Sequence, residues 1–156
     1  MCDKSSSDTP VSLFKRLMSI VYDLLLLTAL LFTVGVLVAG IMTFALNGGN
    51  AITEEHPFYL ASKLIILSIL FCVSFLFFGW FWTHGGQTLG MRTWRVKLVS
   101  VDGSAVDWNK SARRFIAAII SWLVFGLGFI WVLFDKENRS WHDVLSATKL
   151  IQLEKK

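Results

Sequence analysis

Two groups of ionisable residues stand where an apolar chain has little reason to carry charge. The first is Arg16 and Asp23, seven residues apart, at the head of an uncharged stretch from Leu24 to Leu46. Seven residues make two helical turns, so both side chains fall on one helix face, about 10 Å apart along the axis. A carboxylate at the mouth of an apolar span has two uses. It can sit at headgroup level and cap or orient the helix, or it can face the bundle interior, where it pairs with a cation or exchanges a proton or metal ion. The cations within reach are Arg16 on the same face and Arg113 or Arg114 across the bundle.

The second group is Arg139, His142 and Asp143 near the C-terminal end. Arg139 and Asp143 are one helical turn apart and can bridge, although arginine before aspartate is the weaker orientation. His142 adjoins Asp143 but points about 100° away on a helix, so adjacency does not make it a partner. A tail folded back under the bundle instead brings Asp143 to Arg16, Arg92 or Arg113. Such a cluster serves either as a structural lock or as a proton or cation relay.

Other chemistries find no support. His56, His84 and His142 lie far apart with no paired metal-ligand spacing, so no metal site is expected. No nucleophile, histidine and acid stand at readable spacing, so the chain is not expected to be an enzyme. Gly85 and Gly90 have the gap of a phosphate loop, but Met91 and Arg92 replace its lysine and hydroxyl residue. Those glycines are better suited to a tight turn where the chain leaves the bilayer. Cys2 and Cys72 give no disulfide framework, and no cofactor is implied.

The elements that must position these residues are dominated by hydropathy. Of 156 residues, 54% are hydrophobic, and the mean hydropathy is +0.60, which marks an integral membrane protein. Apolar runs predict spans over about 17–46, 60–82 and 115–134. The 23 uncharged positions from Leu24 to Leu46 give roughly 35 Å of helix against a bilayer core of about 30 Å. The first run is too long for a signal peptide and reads as a retained span. Residues 11–153 form one membrane domain, between a Ser-rich tail at 1–10, expected to be disordered, and a short tail at 154–156.

Val11–Ile20 has the spacing of an interfacial helix start. Lys63 begins the second run and can snorkel to the interface, while Trp80 and Trp82 end it as an aromatic belt. Thirteen Phe and seven Trp are accounted for by lipid contact and packing. In the connection at 83–114, Trp94, Val96 and Leu98 alternate with Arg95 and Lys97, which predicts a strand. Asp102-Gly103 is a hairpin turn signal, so a small surface hairpin or extended segment is expected, followed by a helix capped by Asn109 or Ser111. The fold class is therefore all-α, a membrane bundle of two transmembrane helices, a third apolar helix or broken segment, and a hairpin-like surface connection.

Charge sets an expected topology. The 47–59 loop has Glu54 and Glu55 and no Lys or Arg, whereas the 83–114 connection carries six basic residues. The positive-inside rule then places the N-terminus in the cytoplasm. The net charge of +4 reflects basic loops facing anionic lipid headgroups, not a nucleic-acid partner. A full third crossing would export a tail with five basic residues; a bend at Gly126-Leu127-Gly128 would make the run re-entrant and keep it inside.

Three patches, in order, resemble the RDD family of small bacterial integral membrane proteins. They are Arg16 with Asp23, then Gly86-Gln87-Thr88-Leu89-Gly90-Met91-Arg92, then Arg139-Ser140-Trp141-His142-Asp143 with Thr148. The resemblance covers about 13–153 and assigns Arg16, Asp23 and Asp143 as the family's one arginine and two aspartates. Gly86, Thr88, Gly90, Arg92, Arg139, His142 and Thr148 are supporting motif positions. The family pattern has lysine where this chain has Met91. The resemblance implies an inner-membrane protein with a transport-related role. At this length a cation or proton path needs a homo-oligomer or a membrane partner. The alternative is a non-transporting accessory subunit of a membrane complex.

Overall fold

A computed structural model describes residues 11–135 and 138–154. The disordered tail expected at 1–10 and the last two residues lie outside them. The elements run α1 (Leu13–Asn47), α2 (Tyr59–Thr83), α3 (Leu89–Thr93), β1 (Val96–Ser100), α4 (Trp108–Leu123), α5 (Leu127–Ile130) with a 3-10 turn at Trp131–Leu133, α6 (Trp141–Leu145) and β2 (Thr148–Gln152). The chain divides into two compact units, Leu24–Phe77 and the remainder.

The Leu24–Phe77 unit holds the uncharged length of α1, the loop after it and most of α2. Both helices are long and apolar enough to cross a membrane. α1 has 35 residues, roughly 52 Å of helix, so it outlasts a bilayer core of about 30 Å. α2 has 25 residues and is apolar on every side. Phe32, Phe44, Ile41 and Leu60 are exposed, as lipid-facing residues are. Gly49 N–H closes on the Thr43 carbonyl at 3.0 Å, ending α1 where Asn47-Gly48-Gly49 was expected to. The Lys63 ammonium lies over the Tyr59 ring at 5.8 Å.

The other unit is built with its polarity inverted. Arg16, Ser19, Asp23, Thr88, Ser111, Arg114, Ser121, Ser140, His142, Asp143, Ser146 and Thr148 are buried, while Ile116, Ile120, Trp122 and Leu123 are exposed. A bundle next to lipid gains nothing by burying its leucines and must satisfy its polar groups internally. α4 shows the pattern within one helix: Ser111, Arg114 and Ser121 face inward. Its N-cap is Asp107, which accepts from Lys110 N at 2.7 Å, and not Asn109 or Ser111 as the sequence suggested. An aspartate one residue ahead of the first turn is the better acceptor for its free N–H groups.

The third apolar run does break. α4 and the Leu127–Leu133 helix meet at 109°. The bend passes through Phe125 and Gly126, both at positive φ (54° and 76°), and Gly126 N–H returns to the Ser121 carbonyl at 2.9 Å. Left-handed backbone is cheap at Gly126 because it lacks a Cβ.

The predicted strand forms at Val96–Ser100, but it does not fold onto its own neighbour. It pairs antiparallel with β2, setting Val96 opposite Gln152 and Ser100 opposite Thr148. Asp102-Gly103 is a turn that leads towards α4 rather than the tip of a hairpin. Val96 and Leu98 are fully buried, and Val11, Trp82, Met91, Val106, Phe115, Ala117 and Val132 complete the small apolar core of this unit.

Candidate functional site

Asp143 is the centre of a closed ionic cluster. Ser140 caps the start of α6, and Asp143 at the third position of that helix accepts from Ser140 N at 3.0 Å and Ser140 Oγ at 2.6 Å, through Oδ2. The same oxygen takes Arg16 Nη1 at 2.7 Å, and Oδ1 takes Arg114 Nη1 at 2.5 Å. Asp143 is 0% exposed, and four donors hold it. The two arginines are tied in turn. Arg16 donates to the Val11 and Asn138 carbonyls at 3.3 and 2.7 Å, and Arg114 donates to Thr148 Oγ1 at 2.9 Å. Arg114 also stacks on the Trp82 ring, 5.3 Å from its centroid.

Burial alone would push the Asp143 carboxyl up. The Arg114 guanidinium beside it, His142, Arg16 and the Ser140 hydroxyl together hold it well below the usual carboxylate range. Asp143 is therefore a permanent anion. His142 is the opposite case: burial, with Arg114 next, pushes its pKa down to about 3, so the ring is neutral. Ser140 has one hydroxyl proton, given to Asp143, so His142 Nε2, 2.8 Å from Ser140 Oγ, must be the N–H that donates to it. That leaves Nδ1 as a bare lone pair, buried beside the Phe129 ring and without a partner among the described residues.

Asp23 is held differently. It is 4% exposed and takes Thr88 Oγ1 on Oδ2 and Gly90 N at 2.9 Å on Oδ1. Thr88 is the N-cap of α3, so the carboxylate joins α1 to the start of that helix. The contact needs a glycine: a Cβ at Gly90 would fall onto the Ser19 carbonyl oxygen and 2.9 Å from Asp23 Cγ. No ion pair among the described residues involves Asp23.

The structure thus separates residues that spacing had placed together. Arg16 goes to Asp143 and not to Asp23, because the tail does fold back onto the start of α1. Asp143 takes Arg114 as its second cation; Arg92 and Arg113 are both exposed. Arg139 does not bridge to Asp143 but lies on Asp135, through Nε at 3.4 Å and its backbone N at 2.9 Å. Gly86 turns the chain after α2 at φ 71° and accepts from Leu98 N at 2.7 Å. Met91, the departure from the family's lysine, is buried.

Two partners of Asp143 escaped the reading of the sequence, although it named Arg114 for Asp23 and placed Ser140 in the third patch. Ser140 carried a signal, because Ser-x-x-Asp ahead of a helix is the spacing of a capping box. Arg114 carried another, because Ser111, Arg114 and Ser121 recur at helical spacing and mark the polar face of α4. Thr88 and Gly90 offered none as partners of Asp23: neither is charged.

Among the described residues no group of His, Cys, Asp and Glu could hold a metal ion. No solved structure gives a significant match. The chain is similar to the uncharacterized protein YxaI of Bacillus subtilis (strain 168), 29% identical over 105 residues, which are 64% of this chain and 68% of that protein. A model of the RDD family matches residues 10–147. With that match over most of its length and two helices able to cross a bilayer, this integral membrane protein belongs to the RDD family.

Proposed function

We propose that the protein has a transport-related role in the bacterial inner membrane, moving protons or cations as an oligomer, with Asp23 as the exchanging group. The observation that carries this reading is that Asp23 meets no counter-charge among the described residues. It is buried near the head of an apolar span, and its partners there are neutral donors, Thr88 and Gly90. Intramembrane carboxylates of this kind mark ion and proton paths. Asp143 takes no part in exchange on this reading; its two arginines fix it as an anion, and its work is to hold the tail to α1. An oligomer is needed because two or three spans enclose no path. The N-terminus faces the cytoplasm, by the contrast between the acidic 47–59 loop and the basic 83–114 connection.

Proteoliposomes carrying a proton or cation gradient test the reading. Asp23→Asn is expected to abolish flux while the protein remains folded; unchanged flux rejects the role for Asp23. A second reading, an accessory subunit that transports nothing, draws on the internal neutralisation of Asp143. It expects Asp23→Asn to lower thermal stability in detergent, and changes in the 92–114 stretch to release a co-purifying partner.

A further inference from the structure

Between the end of α2, the paired strands and the β1–α4 loop lies an open cleft of roughly 500 Å³. That is the size of a small-molecule site. Among the described residues its lining holds two lysines, Lys97 and Lys149, and no acidic residue. β1 and β2 present these lysines on one face, since Lys97 pairs with Ile151 and Lys149 with Val99. The Lys97 stem lies along the turn after α2, where a Cβ at Gly86 would be 3.5 Å from Lys97 Cε and would collide with the Leu98 carbonyl oxygen. Gly86 therefore lets the strand and its lysine close on the helix end.

Three further facts bear on what enters. Lys97 makes no ion pair among the described residues. The nearby Asp102 is already occupied by Lys110, at 2.9 Å. Trp82 forms part of the wall, and Arg114 stacks on its ring. Arg114 belongs to a buried cluster of two arginines and one aspartate that keeps an excess positive charge. Positive charge lines the cleft and also lies behind its aromatic wall. The remaining wall, with Val99 and Ile151, is apolar, and Trp82 stands at the end of a helix long enough to cross the bilayer.

We propose that this cleft is an anion site for a phosphate group, with Lys97 and Lys149 as its charge contacts. A phosphate brings negative charge to a lysine-lined wall, and its oxygens can accept from both ammonium groups. The group can arrive on an anionic phospholipid, whose glycerol and first methylenes would lie on the apolar wall, or as a free phosphate from the aqueous side.

The test uses the full chain in a neutral detergent and reads the thermal midpoint. Short-chain phosphatidylglycerol, phosphatidylcholine and inorganic phosphate are added in turn at constant ionic strength. The expected result is a rise with phosphatidylglycerol, none with phosphatidylcholine, and loss of the rise in the Lys97→Gln/Lys149→Gln variant. A rise with inorganic phosphate alone, also lost in that variant, supports the site and assigns it to the soluble source. An Arg95→Gln/Arg113→Gln variant, which removes two exposed cations outside the cleft, is expected to respond as the unaltered protein does. Equal loss in both variants, or no response to either phosphate, overturns the proposal. Should the lysine variant melt too early to compare, native mass spectrometry of the unaltered protein decides. A retained phosphatidylglycerol adduct or bound phosphate supports the site, and neither overturns it.

Discussion

The two aspartates buried among the described residues, Asp23 and Asp143, solve one problem in opposite ways. Asp143 is surrounded by charge, with Arg16 on one oxygen, Arg114 on the other and Ser140 closing the circle. Among the described residues Asp23 has only a hydroxyl and one backbone N–H. A carboxylate with two guanidinium partners has nothing to gain from a proton. One with neutral partners keeps lone pairs and has no counter-charge among the described residues. The difference separates a carboxylate neutralised by two buried arginines from one held by neutral donors, although the family resemblance sets both aspartates side by side.

The largest effect expected from breaking this contrast is at Asp143. Asp143→Asn keeps the shape but strands two buried guanidinium groups without a counter-ion. Removing one partner of a buried ion pair costs about 3–5 kcal/mol. Thermal unfolding in detergent should show a severe loss, and adding Arg16→Met to Asp143→Asn should restore part of it. Additive losses would mean that the charges do not act as one cluster.

Asp23 is approached through Gly90, with a smaller expected effect. Gly90→Ala places a methyl against the Ser19 carbonyl and the Asp23 carboxylate, so α3 must retreat and both Asp23 bonds must lengthen. Overpacking of this kind costs about 1–3 kcal/mol. Gly40→Ala, inside α1 and with nothing within 4 Å of the new Cβ, serves as the control. It should be neutral or slightly stabilising, since alanine is the better helix former by roughly 1 kcal/mol. Equal melting of the two variants would show that the Gly90 approach is not tight in solution.

The spans were legible because run length and hydropathy are local properties. Leu24–Leu46 needs no tertiary information to read as a crossing, and Gly126-Leu127-Gly128 announced the break in the third run. The strand at Val96–Ser100 was legible from alternation, but its partner was not. Thr148–Gln152 is a five-residue strand far along the chain, and no turn signal joins the two. The site was legible in its members more than in their pairing. Arg113 and Arg114 are neighbours in sequence, yet about 100° apart around the helix, so one is exposed and the other closes the cluster. Asp23 was matched with arginines because a search for partners of a carboxylate looks for cations. Its actual partners are neutral, and what marks Gly90 as one is that it has no side chain.

The smallest effect at neutral pH, and the sharpest test of the charged cluster, belongs to His142. Above pH 6.5 the ring is neutral whether the protein is folded or not, so His142 adds no pH dependence there. As pH falls below 6.5 the unfolded chain takes up a proton on this ring, while the folded protein, with its pKa near 3, does not. The unfolded state then binds more protons, and stability is lost progressively as pH falls from 6.5 towards 3. Asp143 adds a later loss. Its folded pKa lies below the unfolded value of about 3.9, so its contribution is complete above that value and disappears only at lower pH. His142→Leu removes the first limb and leaves the second. Its stability at pH 7.5 should change by no more than about 1 kcal/mol: the Ser140 Oγ contact is lost, but so is the cost of a buried Nδ1 that has no partner. Melting curves of the two proteins from pH 8 to pH 4 should therefore start close together and separate as the unaltered protein loses stability. Parallel curves would mean that the ring takes its proton in the folded state, and that the cluster around Asp143 tolerates a third positive charge.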